Sequence, residues 1–140
     1  MDNCCFNRPF DDQSQERVHI ESEAVLAILK RAQIHIDEIV GSDILNFEIN
    51  QMADPEKQRK VKELQTIVCS TVKYTKSILV RATEIMNLSS MRVVDSLHIA
   101  CAEKANCEVL LTTDDKLEKA SSRVDLSIKI MNPLKYLLEV

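Results

Sequence analysis

The sequence of 140 residues has one glycine, no tryptophan and only 4% aromatic residues. A single glycine leaves no glycine-rich phosphate-binding loop, which argues strongly against a nucleotide-binding module. Scarce glycine and proline indicate a helix-rich chain with short connections. Long apolar runs are also missing, since stretches such as 109–111 are far too short to cross a bilayer. The first residues have neither the basic nor the apolar region of a signal peptide, so we expect no membrane association.

The charge balance is acidic, with a net charge of −4 at pH 7 and a pI of about 5.4. Without an overall basic surface, any contact with nucleic acid must be local or mediated by a metal ion. The five cysteines are odd in number and include an adjacent pair, which makes a poor disulfide framework. No CxxC pair supports a zinc site. These features predict reduced thiols in a cytoplasmic protein that forms a single domain over residues 1–140.

Helical and strand-like patterns alternate along the chain, which predicts an α/β fold with a mostly parallel sheet. Apolar residues recur at helical spacing over 13–33, and Asp54-Pro55-Glu56 is a strong helix-start signal. The predicted helices cover 13–33, about 42–52, 56–70, 76–86, the region after 93, a short segment after 115 and the end of the chain after 133. The predicted strands cover 34–40, 109–111 and 126–131, with a weak strand or connection at 71–75.

The stretch 93–117 carries the clearest chemical signal. A helix that Asp95 opens is followed by the strand 109–111, and Asp114 and Asp115 come where that strand ends. The strand is apolar on both faces, as expected for a strand that helices cover on both sides. Carboxylates at the carboxyl end of a parallel strand lie where open α/β sheets bind ligands. An alternative is that Asp95 and either Asp114 or Asp115 only cap helices.

The start of the chain departs from the α/β pattern. Residues 1–12 look too broken for a helix and resemble the exit of a strand into a loop, with Pro9 ending regular pairing. Only Met1 precedes Asp2, although a three-layer α/β unit should deliver this segment from a first strand. We therefore expect the sheet to have its first strand missing or truncated.

Several motifs together resemble the PIN-domain family of metal-dependent ribonucleases, which includes the VapC-type toxins of toxin–antitoxin pairs. DNCCFNRPFDD resembles the family's first Asp and the loop after it, and SDILNFEI resembles the motif with a Glu in an early helix. DSLHIACAE and LLTTDDKL are similar to the third and fourth motifs, and NPLKYL matches the end of one branch. The resemblance covers nearly the whole chain. It implies a three-layer α/β/α PIN-like domain.

The resemblance also implies a set of site residues. The catalytic acids would be Asp2, Glu48, Asp95 and Asp114. Mg²⁺ or Mn²⁺ would be held by Asp2, Asp95 and Asp114, with Asp115 as a further member and Glu48 bound directly or through a water. A divalent cation relieves the repulsion among crowded carboxylates and prefers their oxygen ligands.

Some of these residues also have simpler interpretations. Arg8, Thr112 and Thr113 would contact the substrate, although Arg8 also fits a solvated surface and the threonines fit a strand end. His98 is interpreted as a packed histidine that orients its helix.

Three classes of function remain open from the sequence. The first is an endoribonuclease acting on single-stranded RNA or tRNA as a toxin, with a cognate antitoxin and a homodimeric state implied by the resemblance. The second is a catalytically impaired PIN-fold module that binds proteins. The third is an unrelated α/β module such as a receiver domain, but Lys129 and Lys135 do not convincingly supply the lysine which that fold needs.

Overall fold

The computed structural model describes all residues 1–140 and contains eight α-helices, one short 3₁₀ helix and four short strands. The helices are α1 Asn3–Asn7, the 3₁₀ helix Arg8–Phe10, α2 Glu16–Gln33, α3 Asp43–Asn50, α4 Pro55–Gln65, α5 Lys76–Ser89, α6 Val93–Lys104, α7 Asp115–Ser121 and α8 Pro133–Glu139. The strands are β1 Val40–Ser42, β2 Ser70–Val72, β3 Val109–Leu111 and β4 Lys129–Met131. None of the helices combines the length and apolar character of a membrane-spanning segment.

All strand pairing is parallel, in agreement with the predicted α/β class. β1 pairs with β2 with Gly41 opposite Thr71, and β3 pairs with β4 with Leu110 opposite Ile130. The two pairs form separate two-stranded sheets. β1 and β3 therefore each have one edge without a strand partner.

The main apolar cluster joins the start of the chain to α2, α3 and β3. Phe6 and Val25 are fully buried in it, and Leu45, Ile49 and Leu111 pack with them. A second cluster lies around α5, α6, β3 and α7, with Ile85 and Ile99 completely buried. Fully burying one such side chain contributes about 1.5–3 kcal/mol, so these clusters fix the helices against the strands.

The prediction of an irregular N-terminal loop is wrong. Asp2 caps α1 by accepting a hydrogen bond from the Cys5 amide, and α1 leads directly into the 3₁₀ helix that contains Pro9. Cys5 and Phe6 of α1 are buried in the main cluster. The cap and this tertiary burial stabilise a five-residue helix that would be marginal alone.

The prediction of a strand over 34–40 is also wrong. Ile34 and Ile36 are exposed, and His35 between them has a φ of 61° in a turn after α2. The strand begins at Val40, and Gly41 lies inside it rather than ending it. A Cβ at Gly41 would lie 2.8 Å from Cγ1 of Val68, so close packing requires glycine there.

Several helix predictions are confirmed, with shifted ends. Ser42, Asp54 and Asn132 cap α3, α4 and α8 through their side chains, as local capping signals indicate. α4 ends at Gln65, earlier than predicted, because residues 66–69 turn toward β2, and α5 extends to Ser89. The strand at 109–111 has the predicted bounds, whereas β4 covers only the last part of 126–131.

Candidate active site

The segment that follows β3 is fixed by short-range hydrogen bonds. Thr112 is 1% exposed, and its hydroxyl accepts a hydrogen bond of 3.1 Å from the Asp114 amide. The Asp114 carboxylate then caps α7 by accepting from the amides of Lys116 at 2.9 Å and Leu117 at 3.4 Å. Asp114 therefore does cap a helix. Both capping bonds go to Oδ1, which leaves Oδ2 for another partner.

Asp2 lies beside the same end of β3. Its backbone amide donates to the Leu111 carbonyl at 3.0 Å, and its side chain is only 3% exposed. The carboxylate accepts from the Cys5 amide and from the Cys4 thiol, each at 3.1 Å. Sγ of Cys4 lies 3.8 Å from the Thr112 hydroxyl. Asp2 and Asp114 are thus connected through Cys4 and Thr112.

Burial, together with the negative charge of Asp2, raises the pKa of the Cys4 thiol to about 12. The thiol therefore stays neutral at physiological pH. A neutral thiol is a poor metal ligand, so a cation at this position would be bound by carboxylate oxygens rather than by Cys4.

Asp95 extends from the first turn of α6 and is held by Arg92. Nε of Arg92 lies 3.0 Å from one carboxylate oxygen, and Nη2 lies 3.2 Å from the other. This hydrogen-bonded pairing raises the pKa of Arg92, and the charges of Asp114 and Glu48 raise it further. Arg92 thus makes its hydrogen bonds to Asp95 alone, and the charges of Asp114 and Glu48 act on it at longer range. Asp95 does not cap α6, because Arg92 occupies the N-cap position.

Glu48 lies on α3, which begins directly after β1. Ser42 caps this helix by accepting a 3.0 Å hydrogen bond from the Leu45 amide. Nε2 of His98 and the Glu48 carboxylate form a hydrogen bond. An ionised carboxylate has no proton to donate, so His98 is the donor. His98 is 5% exposed and lies one turn after Asp95 on α6. It therefore couples the positions of Glu48 and Asp95, beyond the packing role that the sequence predicts.

Asp115 is engaged elsewhere. Both of its carboxylate oxygens lie 2.8 Å from the Arg17 guanidinium. The hydrogen bonds from Arg17 lower the pKa of Asp115. Its side chain is 64% exposed, so this is a surface ion pair. Arg17 also donates to the Thr113 carbonyl at 3.4 Å, which ties α2 to the loop after β3.

Arg8 is likewise turned away from the acids. Its guanidinium lies 3.2 Å from Asp11 and 3.0 Å from Glu21, which is 3% exposed. Glu21 also accepts from Arg17 and from Asn132. Nε of Arg8 is buried without a hydrogen-bond partner. The residues around Glu21 thus form a buried polar hub between α2, the 3₁₀ helix and α8.

The structure pairs Asp95 with Arg92, links Glu48 to α6 through His98, and connects Asp2 to Asp114 through Cys4 and Thr112. No group of three or more His, Cys, Asp or Glu side chains is already arranged to hold a metal ion. The acids are held by an amide, His98 or Arg92 instead. The chemistry of the donors, which are carboxylate oxygens beside a neutral thiol, suits a hard cation such as Mg²⁺ or Mn²⁺.

Arg92 was missed by the sequence analysis. Its signal is an arginine three residues before Asp95, at the start of a helix whose first turn carries the acid. An i, i+3 spacing of this kind allows a side-chain ion pair. Arg17, 98 residues from Asp115, had no comparable local signal.

Comparison with known proteins identifies the family. A model of the PIN domain matches residues 15–122, more than half of the chain, and this protein therefore belongs to the PIN-domain family. PIN domains are typically nucleases and generally use divalent metal ions. The matched region contains Glu48, Asp95 and Asp114, while Asp2 lies before it. No curated protein and no solved structure matches the chain.

Proposed function

We propose that this protein is a metal-dependent endoribonuclease that hydrolyses phosphodiester bonds in single-stranded RNA or tRNA. The observation that carries the proposal is the connection of Asp2 to Asp114 at the carboxyl end of β3, while Glu48 and Asp95 are bound to side chains of α6 and of its N-cap. This is the edge at which α/β sheets bind ligands. Membership of a family whose members are typically nucleases supports the same conclusion.

The proposed roles follow from what each side chain contacts. Asp2, Asp95 and Asp114 would hold Mg²⁺ or Mn²⁺, and Glu48, oriented by His98, would bind the ion or one of its waters. Asp114 retains Oδ2 for this purpose while Oδ1 caps α7. When bound, the cation would supply positive charge at the scissile phosphate and lower the pKa of a water. Asp95 must exchange Arg92 for the cation, which leaves the guanidinium free to contact a phosphate.

The other predicted residues have lesser roles in this proposal. Thr112 would hold the loop of Asp114, and Thr113 would anchor Arg17 through its carbonyl. Asp115 would take part only after release from Arg17, and Arg8 would reach a substrate only after release from Glu21. We therefore rank Asp115 and Arg8 below the four acids.

The first test is cleavage of a labelled single-stranded RNA with Mn²⁺, with Mg²⁺ and with EDTA. We expect cleavage that requires the metal, and a fall of about 100-fold or more in Asp95→Asn, because the neutral amide no longer attracts the cation. Asp125→Asn is the matched control, since Asp125 is exposed and its carboxylate makes no hydrogen bond in the structure. The control should cleave like the unchanged protein.

Two results would contradict this proposal. Equal cleavage by Asp95→Asn and by the unchanged protein would show that the activity does not depend on the proposed acidic site. Absence of both cleavage and Mn²⁺ binding would leave the second candidate, a PIN-fold module that acts by binding proteins. The observation favouring that candidate is that no three metal-binding side chains are already grouped.

A VapC-type toxin role is the finer part of the proposal, with a cognate antitoxin, a homodimer and a cytoplasmic location. Its support is the motif resemblance and the apolar surface near the acids, where Phe47 is 61% exposed and Val93 is 53% exposed. Exposed aromatic and aliphatic side chains next to a charged site suit a protein interface. Analytical sedimentation of the unchanged protein and of Phe47→Ser tests the homodimer. We expect the unchanged protein to sediment as a dimer and the variant to dissociate more readily.

A further inference from the structure

One guanidinium contacts the residues on both sides of Asp114. Nη1 and Nη2 of Arg17 each lie 2.8 Å from a different carboxylate oxygen of Asp115. Nη2 also lies 3.4 Å from the carbonyl oxygen of Thr113. A single side chain of α2 therefore holds the chain immediately before and immediately after a candidate metal ligand.

The other hydrogen bonds of this turn are local. The Asp114 amide donates to the Thr112 hydroxyl, and the Asp114 carboxylate accepts from the amides of Lys116 and Leu117. These bonds join residues at most three positions apart, so they shape the turn without fixing it against the rest of the molecule. The bonds from Arg17 cross 96 and 98 residues of sequence. They are therefore the ones that can set where the turn lies.

Arg17 is itself held in place by a buried acid. Its Nε lies 3.4 Å from one carboxylate oxygen of Glu21, and its Nη2 lies 3.5 Å from the other. Glu21 is 3% exposed and also binds Arg8 and Asn132. The same helix places the fully buried Val25 in the main apolar cluster. The position of the Arg17 guanidinium is thus fixed relative to the core.

The geometry of the Arg17–Asp115 pair compensates for its exposure. The two side chains are 57% and 64% exposed, and exposed ion pairs usually contribute little. Bidentate arginine–carboxylate contacts and networks of several charges are the exceptions, and this pair has both features. The hydrogen bonds raise the pKa of Arg17 and lower that of Asp115, so both groups stay charged. A lysine has the same charge but cannot form the bidentate contact.

We propose that Arg17 is a positioning residue that holds Asp114 in place for the cation, and that Asp115 is its anchor rather than a metal ligand. This inference rests on the metal-dependent function proposed above. Oδ1 of Asp114 is committed to the helix cap, so the direction of Oδ2 depends on where the turn lies. Mg²⁺ in particular demands nearly ideal ligand distances, so a displaced ligand binds more weakly.

Charge alone predicts the opposite effect of Arg17. A guanidinium near the acids repels a cation, so its positive charge by itself weakens metal binding. A substitution that keeps this charge and removes only the bidentate contact therefore isolates the positioning role. Arg17→Lys is that substitution.

The experiment measures Mn²⁺ affinity of the full chain by isothermal titration calorimetry. We expect Arg17→Lys to bind Mn²⁺ about tenfold more weakly, the lower end of the effect of removing an outer-shell partner. Arg31→Lys is the matched control, because Arg31 lies at the opposite end of α2 and contacts Asp37 through two hydrogen bonds. The control should bind Mn²⁺ like the unchanged protein.

A double-mutant cycle distinguishes an anchor from a ligand. Asp115→Asn should weaken Mn²⁺ binding to about the same extent as Arg17→Lys, and the double variant should bind like either single variant. Two changes that break one contact are not additive. Additive losses would assign Asp115 to the metal and overturn its role as an anchor.

Hydrogen exchange by NMR tests the positioning without metal. The amides of Lys116 and Leu117 report on the turn, because Asp114 accepts their hydrogen bonds. We expect their exchange in Arg17→Lys to be about threefold faster or more, with no change in Arg31→Lys. Weaker Mn²⁺ binding without this faster exchange would overturn the positioning role.

Two further outcomes separate this inference from the function on which it rests. Equal Mn²⁺ affinity of Arg17→Lys and the unchanged protein would overturn the positioning role and leave the metal-dependent function standing. Failure of the unchanged protein to bind Mn²⁺ would overturn both.

Discussion

The Arg92 guanidinium is hydrogen-bonded to both carboxylate oxygens of Asp95, which the proposed cation would need as ligands. Arg92 has 76% of its side chain exposed, whereas the Asp95 side chain is only 11% exposed. Exposed ion pairs are weak, so a divalent cation competes with Arg92 at a modest energetic cost. Arg92 therefore keeps a buried acid neutralised while leaving it available to a cation.

We expect Arg92→Ala to bind Mn²⁺ more tightly, by roughly two- to fivefold. In this variant no ion pair with Asp95 has to be broken before the metal binds. Isothermal titration calorimetry measures the change. Arg59→Ala is the control, since Arg59 pairs with Glu56 and Glu63 on the surface of α4. A weaker affinity in Arg92→Ala would mean that Arg92 supports the ligand geometry rather than competing with the cation.

Asp37 provides a pH-dependent contribution to stability. Hydrogen bonds from Arg31 at 2.7 Å and from the Tyr136 hydroxyl at 2.9 Å, despite partial burial, keep the pKa of Asp37 below its usual value. Such a group stabilises the folded state above its unfolded pKa of about 3.9, and the contribution is lost as the pH falls through the lower folded pKa.

Asp37→Asn should therefore lower the free energy of unfolding at pH 7, and the difference from the unchanged protein should shrink below about pH 4. Urea unfolding at pH 7 and pH 3 measures it. Asp125→Asn should show no such pH-dependent difference, because its carboxylate makes no hydrogen bond. A difference that stays constant from pH 7 to pH 3 would exclude the charge of Asp37 as its cause.

At the scale of elements, the approach of β1 to the segment before β2 depends on the single glycine. Gly41 lies opposite Thr71, and a Cβ on it would come within 2.8 Å of the Val68 side chain. Valine is branched at Cβ and has few rotamers with which to move away. β1 also leads into α3, which carries Glu48. A shift in this strand would thus reach the candidate site.

Gly41→Ala should lower the free energy of unfolding by about 1–3 kcal/mol through overpacking. Urea denaturation of the full chain measures this loss. Val68→Ala in the same chain should restore part of it, because it removes the Cγ1 atom that clashes. The contradicting result is a Gly41→Ala loss of unfolding free energy that is as large in the Val68→Ala background as in the unchanged chain. The backbone conformation, rather than Val68, would then demand glycine.

At the scale of the whole molecule, Glu21 joins segments that are far apart in the chain. It accepts from Arg8 near the start, from Arg17 on its own helix and from Asn132, which caps α8. Removing one partner of a buried ion pair leaves the other charge uncompensated, which costs about 3–5 kcal/mol. The hub therefore holds the two ends of the chain against α2.

We expect Glu21→Ala to destabilise the protein by about 3 kcal/mol, since the partly buried Arg8 would lose its buried partner and keep only Asp11. Thermal and urea unfolding measure the loss. Glu23→Ala is the matched control on the same helix, because Glu23 is exposed and should change stability by less than about 0.5 kcal/mol. Equal effects of the two substitutions would contradict a role for Glu21 as a buried hub.

Local patterns in the sequence were sufficient to predict the α/β class and the positions of several helices and strands. Caps such as Ser42 and Asn132 act within three residues of themselves, so their signals can be read without tertiary information. The apolar run at 109–111 likewise reports burial on both faces directly. The strand predicted at 34–40 failed because alternation alone does not show which face meets a core. Ile34 and Ile36 are exposed in a turn.

The sequence by itself determined the family resemblance, the fold class and the order of the candidate acids, because these depend on residue type and spacing along the chain. Tertiary structure alone decided the partner of each acid: His98 for Glu48, and Arg17 for Asp115 across 98 residues. It also decided the helix at the start of the chain and the separation of the strands into two pairs. The physical reason is that burial and pairing are set by residues distant in sequence, whose contacts no local pattern encodes.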